Sequence, residues 1–256
     1  MPFTLAHPAI IISLRRLLPL SALFVGSISP DFEYLLRLNA VSKFSHTLFG
    51  IFYFCLPIGF LVLYLFHSFV KVPVTALLPD PVRHRLQSSS MKFSFLPLSQ
   101  LITIILALAV GAFSHILWDS FTHESGWAVS KLPLLQTSVF NISGNETKLF
   151  KLLQHGSSAV GLLLIAYCFW QWFNRTPVDE EKIEQVLPNR LRHQIIVVLI
   201  LLIAVTGLGK GYWSAAANDG VRYLEVFAVQ TAIGGMVAFT VCLLLFSFIY
   251  KLSRRA

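Results

Sequence analysis

The stretch LSQLITIILALAVGAFSHILWDSFTH, Leu98 to His123, decides the fold. From Leu98 to Trp118 it holds no Asp, Glu, Lys or Arg, and a helix needs about 20 such residues to cross the hydrocarbon of a bilayer. Its end turns polar at a spacing of four: His115, Asp119, His123. On a helix that spacing stacks the side chains on one face, a turn apart. Imidazole and carboxylate are the ligand types of zinc and related divalent metals. Polar groups beside hydrocarbon are costly, so their default reading is functional.

Composition agrees. Of the 256 residues 55% are hydrophobic and only 12% charged, and the mean hydropathy is +0.70. A soluble domain carries about 25% charged residues. The net charge of +8 would suit nucleic acid, but the cations lie in short connections between apolar stretches, where orientation in a bilayer explains them better. Nucleic-acid binding is therefore set aside. Cys55, Cys168 and Cys242 each lie in an apolar run with no C-x-x-C pair, which argues against a disulfide framework or thiolate zinc site. The opening residues lack the positive region of a cleavable signal peptide, so His7 is expected in the mature chain.

These readings predict an all-α integral membrane bundle of about five transmembrane helices plus short N-terminal helices. The spans read as about Leu48 to Phe69, Leu98 to Trp118, Ser157 to Phe173, Gln194 to Leu208 and Val226 to Tyr250. Before them, Ala9 to Leu18 reads as a short helix. Leu20 to Ile28, bracketed by Pro19 and Pro30, is too short to span and suits a re-entrant or buried helix. Pro30 with acidic Asp31 and Glu33 marks another helix start. Residues 71–97, with Pro73, Pro79 and Pro81, read as a proline-stiffened connection at the interface. The sequons Asn141-Ile142-Ser143 and Asn145-Glu146-Thr147 read as an ordinary polar turn, and residues 174–193 as a solvated linker. The organisation expected is a metal-site domain over 1–175, followed by a two-span segment over 176–256 packed on the same bundle.

Five spans sort the candidate ligands. His7, Asp31 and His46 precede the first span, His115, Asp119 and His123 close the second, and His155 precedes the third, so all seven meet one face. His67, His84 and His193 fall toward the other. Nine of the twenty lysines and arginines lie on the ligand side and eleven on the other, which leans toward an outward-facing site. By itself H-x-x-x-D also suits a helix-capping histidine and an interfacial aspartate. Asp31 and His46 strengthen the metal reading because both sit in apolar surroundings. An ion pair from Arg37 to Asp31 or Glu33 is the alternative. Trp118, Phe121 and Trp127 read as an interfacial aromatic belt, or else as the lining of an entrance.

The motifs Pro2-Phe3-Thr4-x-x-His7-Pro8, Ser29-Pro30-Asp31-Phe32-Glu33-Tyr34, Ser45-His46-Thr47 and His115-x-x-x-Asp119-Ser120-Phe121-Thr122-His123 resemble a bacterial family of membrane proteins of unknown function. Their order is similar to that of the membrane-bound metal-dependent hydrolases and, distantly, of zinc-dependent phospholipase C, an all-helical fold. The resemblance implies a first zinc held by Asp31, His46, His115 and Asp119, and a further one shared by His7 and Asp119. His123 and His155 would take the histidine places of a third. Its glutamate is missing, since Ala159 stands four after His155, so one or two metals are expected. In a hydrolase Asp31 or Glu33 would accept the proton of the attacking water, with Glu124 a third candidate.

Three functions compete: a metal-dependent hydrolase of a lipid or other phosphoester in a bacterial inner membrane, an ion- or proton-coupled transporter, and a non-catalytic membrane scaffold. Depth separates the first two, because transport sites tend to lie at the bilayer midplane on broken helices, whereas these residues cluster at helix ends.

Overall fold

The computed structural model describes residues 4–88, 93–142, 145–178 and 187–254. The chain is 81% helical, and five helices are long and apolar enough to cross a membrane, the architecture of an integral membrane protein. It divides into two compact units: residues 1–31, 43–63 and 94–174 form one, and residues 32–42, 64–93 and 175–256 the other.

The first unit opens with a 3-10 turn at Thr4–Ala6, short helix α1 (Pro8–Ile11) and helix α2 (Leu20–Ile28). As expected of a re-entrant or buried piece, α2 is too short to span and buries Ala22, Leu23, Val25, Gly26 and Ser27. It crosses the long helix α6 (Leu98–Thr122) backbone to backbone. A Cβ on Gly26 would stand 2.5 Å from the Leu108 carbonyl oxygen, and one on Gly111 2.6 Å from the Ser27 nitrogen. Glycines permit such an approach between membrane helices.

The first span, α4, runs from Leu48 to Leu77, eight residues beyond its expected end. The cause is visible at its prolines. Pro57 and Pro73 lack the amide of the helical ladder and clash with the carbonyl four residues back. Those carbonyls, on Tyr53 and Phe69, lie in π-helical segments at Ile51–Cys55 and Phe66–Val70. A π turn widens the ladder and lets the helix continue past each proline. Much of the connection expected over 71–97 is thus helical, as the end of α4 and as α5 (Asp80–Ser88). Within the first unit, Ile51 and Cys55 of α4 pack on Ala112 of α6.

Between α6 and the third span, α8 (Leu149–Arg175), the chain forms α7 (Trp127–Lys131) and an antiparallel hairpin, β1 (Ser138–Ile142) with β2 (Asn145–Lys148). Ala128, Val129, Leu135 and Phe150 bury a small core beneath it. Ser143, the last residue of the first sequon, and Gly144, which separates the two, lie outside the described residues, as do residues 179–186 of the linker.

In the second unit α9 (Asn189–Ala215) packs on α10 (Gly220–Ser253). Gly207 and Gly211 form the seam, and a Cβ on Gly211 would meet Thr231 Oγ1 and the Phe227 carbonyl. Arg192 donates to Asp80, which also pairs with Arg83 at 2.9 Å. Helices α8, α9 and α10 begin and end beyond the windows expected from hydropathy, because polar residues such as His155, Lys210 and Arg222 stop an apolar window without interrupting backbone hydrogen bonds. Side chains such as Leu163 and Val205 face outward at 70% and 69% exposure, as lipid-facing surface does.

Candidate metal centre

Six side chains from four stretches of the first unit converge where α6 ends. His7 sits between the Thr4–Ala6 turn and α1, Asp31 closes the turn after α2, His46 precedes α4, and His115, Asp119 and His123 occupy successive turns at the end of α6. The i, i+4 spacing alone aligns the last three. The glycine crossing of α2 on α6 then sets the rest, because Gly111 is one turn before His115.

His115 is fully buried, and its Nδ1 lies 2.7 Å from the Ser27 carbonyl oxygen. A carbonyl can only accept, so Nδ1 donates, and in the neutral ring Nε2 presents a lone pair. That nitrogen stands 3.5 Å from Asp31 Oδ1 and 3.3 Å from Asp119 Oδ2. His46 Nε2 stands 3.4 Å from the same Asp31 oxygen and 3.5 Å from the same Asp119 oxygen. Four donor atoms round a tetrahedral ion with bonds of 2.0–2.1 Å would be separated by about 3.3–3.4 Å. The second carboxylate oxygens are engaged elsewhere: Asp31 Oδ2 accepts from Thr4 Oγ1, and Asp119 Oδ1 lies 3.6 Å from His7 Nε2 and 3.5 Å from His123 Nδ1. Ser45 Oγ lies 3.0 Å from His46 Nδ1.

His115 Nε2, Asp31 Oδ1, Asp119 Oδ1 and both ring nitrogens of His7 are buried without a hydrogen-bond partner among the described residues. Leaving such groups unsatisfied is expensive. Two carboxylates converging in a buried site call for positive charge between them, from a bound ion or from a protonated imidazole. Two overlapping sets have ligand atoms within 4.8 Å of one another, His7 with His115 and Asp119, and Asp31 with His46 and His115. The His7 ring stacks on His115 at 3.8 Å between centroids, which closes the inner wall. The side chains of His46 and His123 are 20% and 24% exposed, so the cluster is open at that rim.

The protonation pattern follows the geometry. Burial and the neighbouring His115 lower the His7 pKa to about 4. Burial would raise Asp31, but the neighbouring His115 and His46 and the hydrogen bond from Thr4 outweigh it and hold the carboxyl below its ordinary range. Burial opposes charge on His46 too, yet the Asp119 and Asp31 carboxylates beside its Nε2 raise its pKa to about 9.

The remaining candidates stand apart. His155 is exposed on α8, whereas His7, Asp31 and His115 are buried. His123 Nδ1 also lies 3.2 Å from the Asp119 backbone carbonyl, so the ring ties down the helix end as well as bordering the cluster. In the second unit Glu33 Oε1 accepts from Arg37 Nε at 2.7 Å and Oε2 from Ser42, the pairing raised as the alternative to a site role. Glu124 reaches Lys148 at 3.8 Å. Residues not foreseen as positioning groups are Thr4, Ser27 and Ser45. Thr4 and Ser45 stand within quoted motifs, where a hydroxyl near a ligand is the available signal, whereas Ser27 acts through its backbone carbonyl and offers none.

A helical membrane protein with a buried histidine–aspartate cluster at the end of one span is the class this structure defines. The chain belongs to the family described as "Domain of unknown function (DUF4184)", which matches residues 1–248. No curated protein and no solved structure matches it.

Proposed function

We propose that the protein is a membrane-bound metal-dependent hydrolase of a phosphoester or lipid, with zinc held by Asp31, His46, His115 and Asp119. The observation that carries this reading is the set of four 3.3–3.5 Å separations among donor atoms drawn from three distant stretches, of which Asp31 Oδ1 and His115 Nε2 are buried with no hydrogen-bond partner among the described residues. His7, the second oxygen of Asp119 and, after a turn of its ring, His123 would take a second ion. The position of the cluster at a helix end supports hydrolysis over transport. The resemblance to a bacterial membrane-protein family points to an inner membrane, and the lean of the cations favours the site outward.

When bound, such an ion supplies Lewis-acid polarisation and hydroxide near neutral pH. The chain supplies orientation and shelter. The Ser27 carbonyl fixes the tautomer and plane of His115, the Ser45 hydroxyl holds the plane of His46, and Thr4 turns Asp31 so that Oδ1 faces inward, a role outer partners commonly play. The stacked rings of His7 and His115 exclude water from one side, and the rim at His46 and His123 admits a substrate headgroup.

The test is metal analysis of detergent-purified full-length protein beside a panel of phosphodiesters and phospholipids. Bound zinc that is lost in His115→Ala and Asp119→Asn, together with metal-dependent turnover, is the expected result. Full metal content in both variants, or none in the wild type, overturns the assignment.

A further inference from the structure

A cleft of about 130 Å³ opens beside His7, walled by Ala6 and Ile10 of the N-terminal segment, Trp118 of α6, and Val160, Gly161 and Leu164 of α8. We propose that it binds an acyl chain of a membrane lipid whose phosphate-bearing headgroup lies at the histidine–aspartate cluster. This names the substrate class of the hydrolase and rests on that reading.

Apart from His7 at its mouth, the polar side chains along the cleft are already used. Ser157 and Ser158 donate to the Gln154 carbonyl, and Ser157 Oγ also accepts from Trp118 Nε1 at 3.2 Å. The rest of the wall is apolar, and water held beyond His7 would find few of the two to four partners it needs. Gly161 makes the narrow floor, since a Cβ there would stand 2.9 Å from the Ala6 carbonyl.

Direction selects the occupant. Helix α8 re-enters from the side on which α6 leaves, so Ser157, Gly161 and Leu164 lie progressively deeper along one face, over about 10 Å at 1.5 Å per residue. The shallow end is His7, whose ring stacks on His115. The deep end is Leu164, on a helix whose membrane window is only 11% buried by protein. A ligand following this path has a polar end at the cluster and an apolar end in hydrocarbon, which describes a lipid rather than a soluble phosphoester.

The full-length protein is reconstituted in phosphatidylcholine vesicles containing phosphatidylglycerol with a diazirine near one acyl terminus, and the labelled peptides are mapped after photolysis. Saturable labelling of the peptides carrying Ile10 and Val160–Leu164 is expected. Leu164→Trp, which fills the deep end, should weaken it about tenfold, while Leu164→Ala keeps it. In both variants metal content and the non-saturable labelling around Val205 on α9 stay unchanged. Labelling at Val160–Leu164 that never saturates, or that survives Leu164→Trp, means bulk lipid only and sinks the cleft while a metal-loaded centre stands. Saturable labelling in a wild type that holds no metal sinks the hydrolase reading and the headgroup half of this proposal instead.

Discussion

Gly111 lies so close to the backbone of Ser27 that a Cβ on it would stand 2.6 Å from the Ser27 nitrogen. One turn later His115 receives its hydrogen-bond partner from the same serine's carbonyl. The crossing of two helices and the orientation of one imidazole are therefore the same contact. Gly111→Ala should cost about 1–3 kcal/mol through overpacking and lower metal content as His115 loses its anchor. Thermal unfolding and metal analysis of one preparation check both. Native stability with full metal would show that α2 can yield without moving the ring.

Thr4→Val removes the donor that turns Asp31 but leaves every proposed ligand in place. Loss of an outer partner of this kind weakens metal binding about 10–100-fold. Competition with a chelator of known affinity measures the change. His155→Ala in the same assay should leave affinity untouched, since that side chain stands exposed on α8.

Metal affinity should rise with pH. Without metal, His46 titrates near 9 and is protonated at neutral pH, and binding must displace that proton. Below about 9 the affinity then rises by up to about tenfold per pH unit from this group alone. His7, lowered to about 4, adds no such dependence above that pH. The metal-free protein shows the opposite trend: the stability gained from charged His46 is complete below its unfolded pKa of 6.5 and disappears as pH rises through about 9. Calorimetry in buffers of different ionisation enthalpy reads the proton release, and pH-independent binding between 6 and 9 would contradict it.

Glu33→Gln and Asp31→Asn separate the two acids once considered together as bases. Asp31→Asn should abolish metal binding, and Glu33→Gln should leave metal content and turnover intact because its carboxylate serves Arg37. Turnover lost at full metal content in Glu33→Gln would restore that residue as a proton acceptor.

On α9, glycines two residues apart should respond in opposite senses. Gly209 has open space around a built Cβ, so Gly209→Ala gains about 0.5–1 kcal/mol of helix propensity. Gly211 abuts Thr231 and the Phe227 carbonyl, so Gly211→Ala should lose about 1–3 kcal/mol. Paired unfolding curves decide it.

The spans and the polar cluster were legible because lipid imposes a length on apolar runs and a cost on buried charge, and both mark a sequence directly. Six of the seven candidate ligands converge because three share one face of α6 and the rest sit in turns held against it. His155 followed the same sidedness argument yet faces away, since sidedness fixes depth and not the azimuth around a helix. The continuation of α4 past Pro73 was hidden, because π-helical turns leave no pattern in composition. The hairpin at Ser138–Lys148 is too short for alternation to separate it from a loop. Ser27 could not be read as an anchor because its backbone, not its side chain, does the work.

The proposed primary ligands arrive from positions 31, 46, 115 and 119, with the outward and return passages of α4 and α6 between the second and third of them. A chain still being threaded into the bilayer would hold only half of the set until α6 is inserted and α2 has docked on it. Loading would thus report completed insertion. On the proposed hydrolase reading, a truncated or misthreaded copy would emerge from biosynthesis inert instead of partially active, which would spare the surrounding membrane.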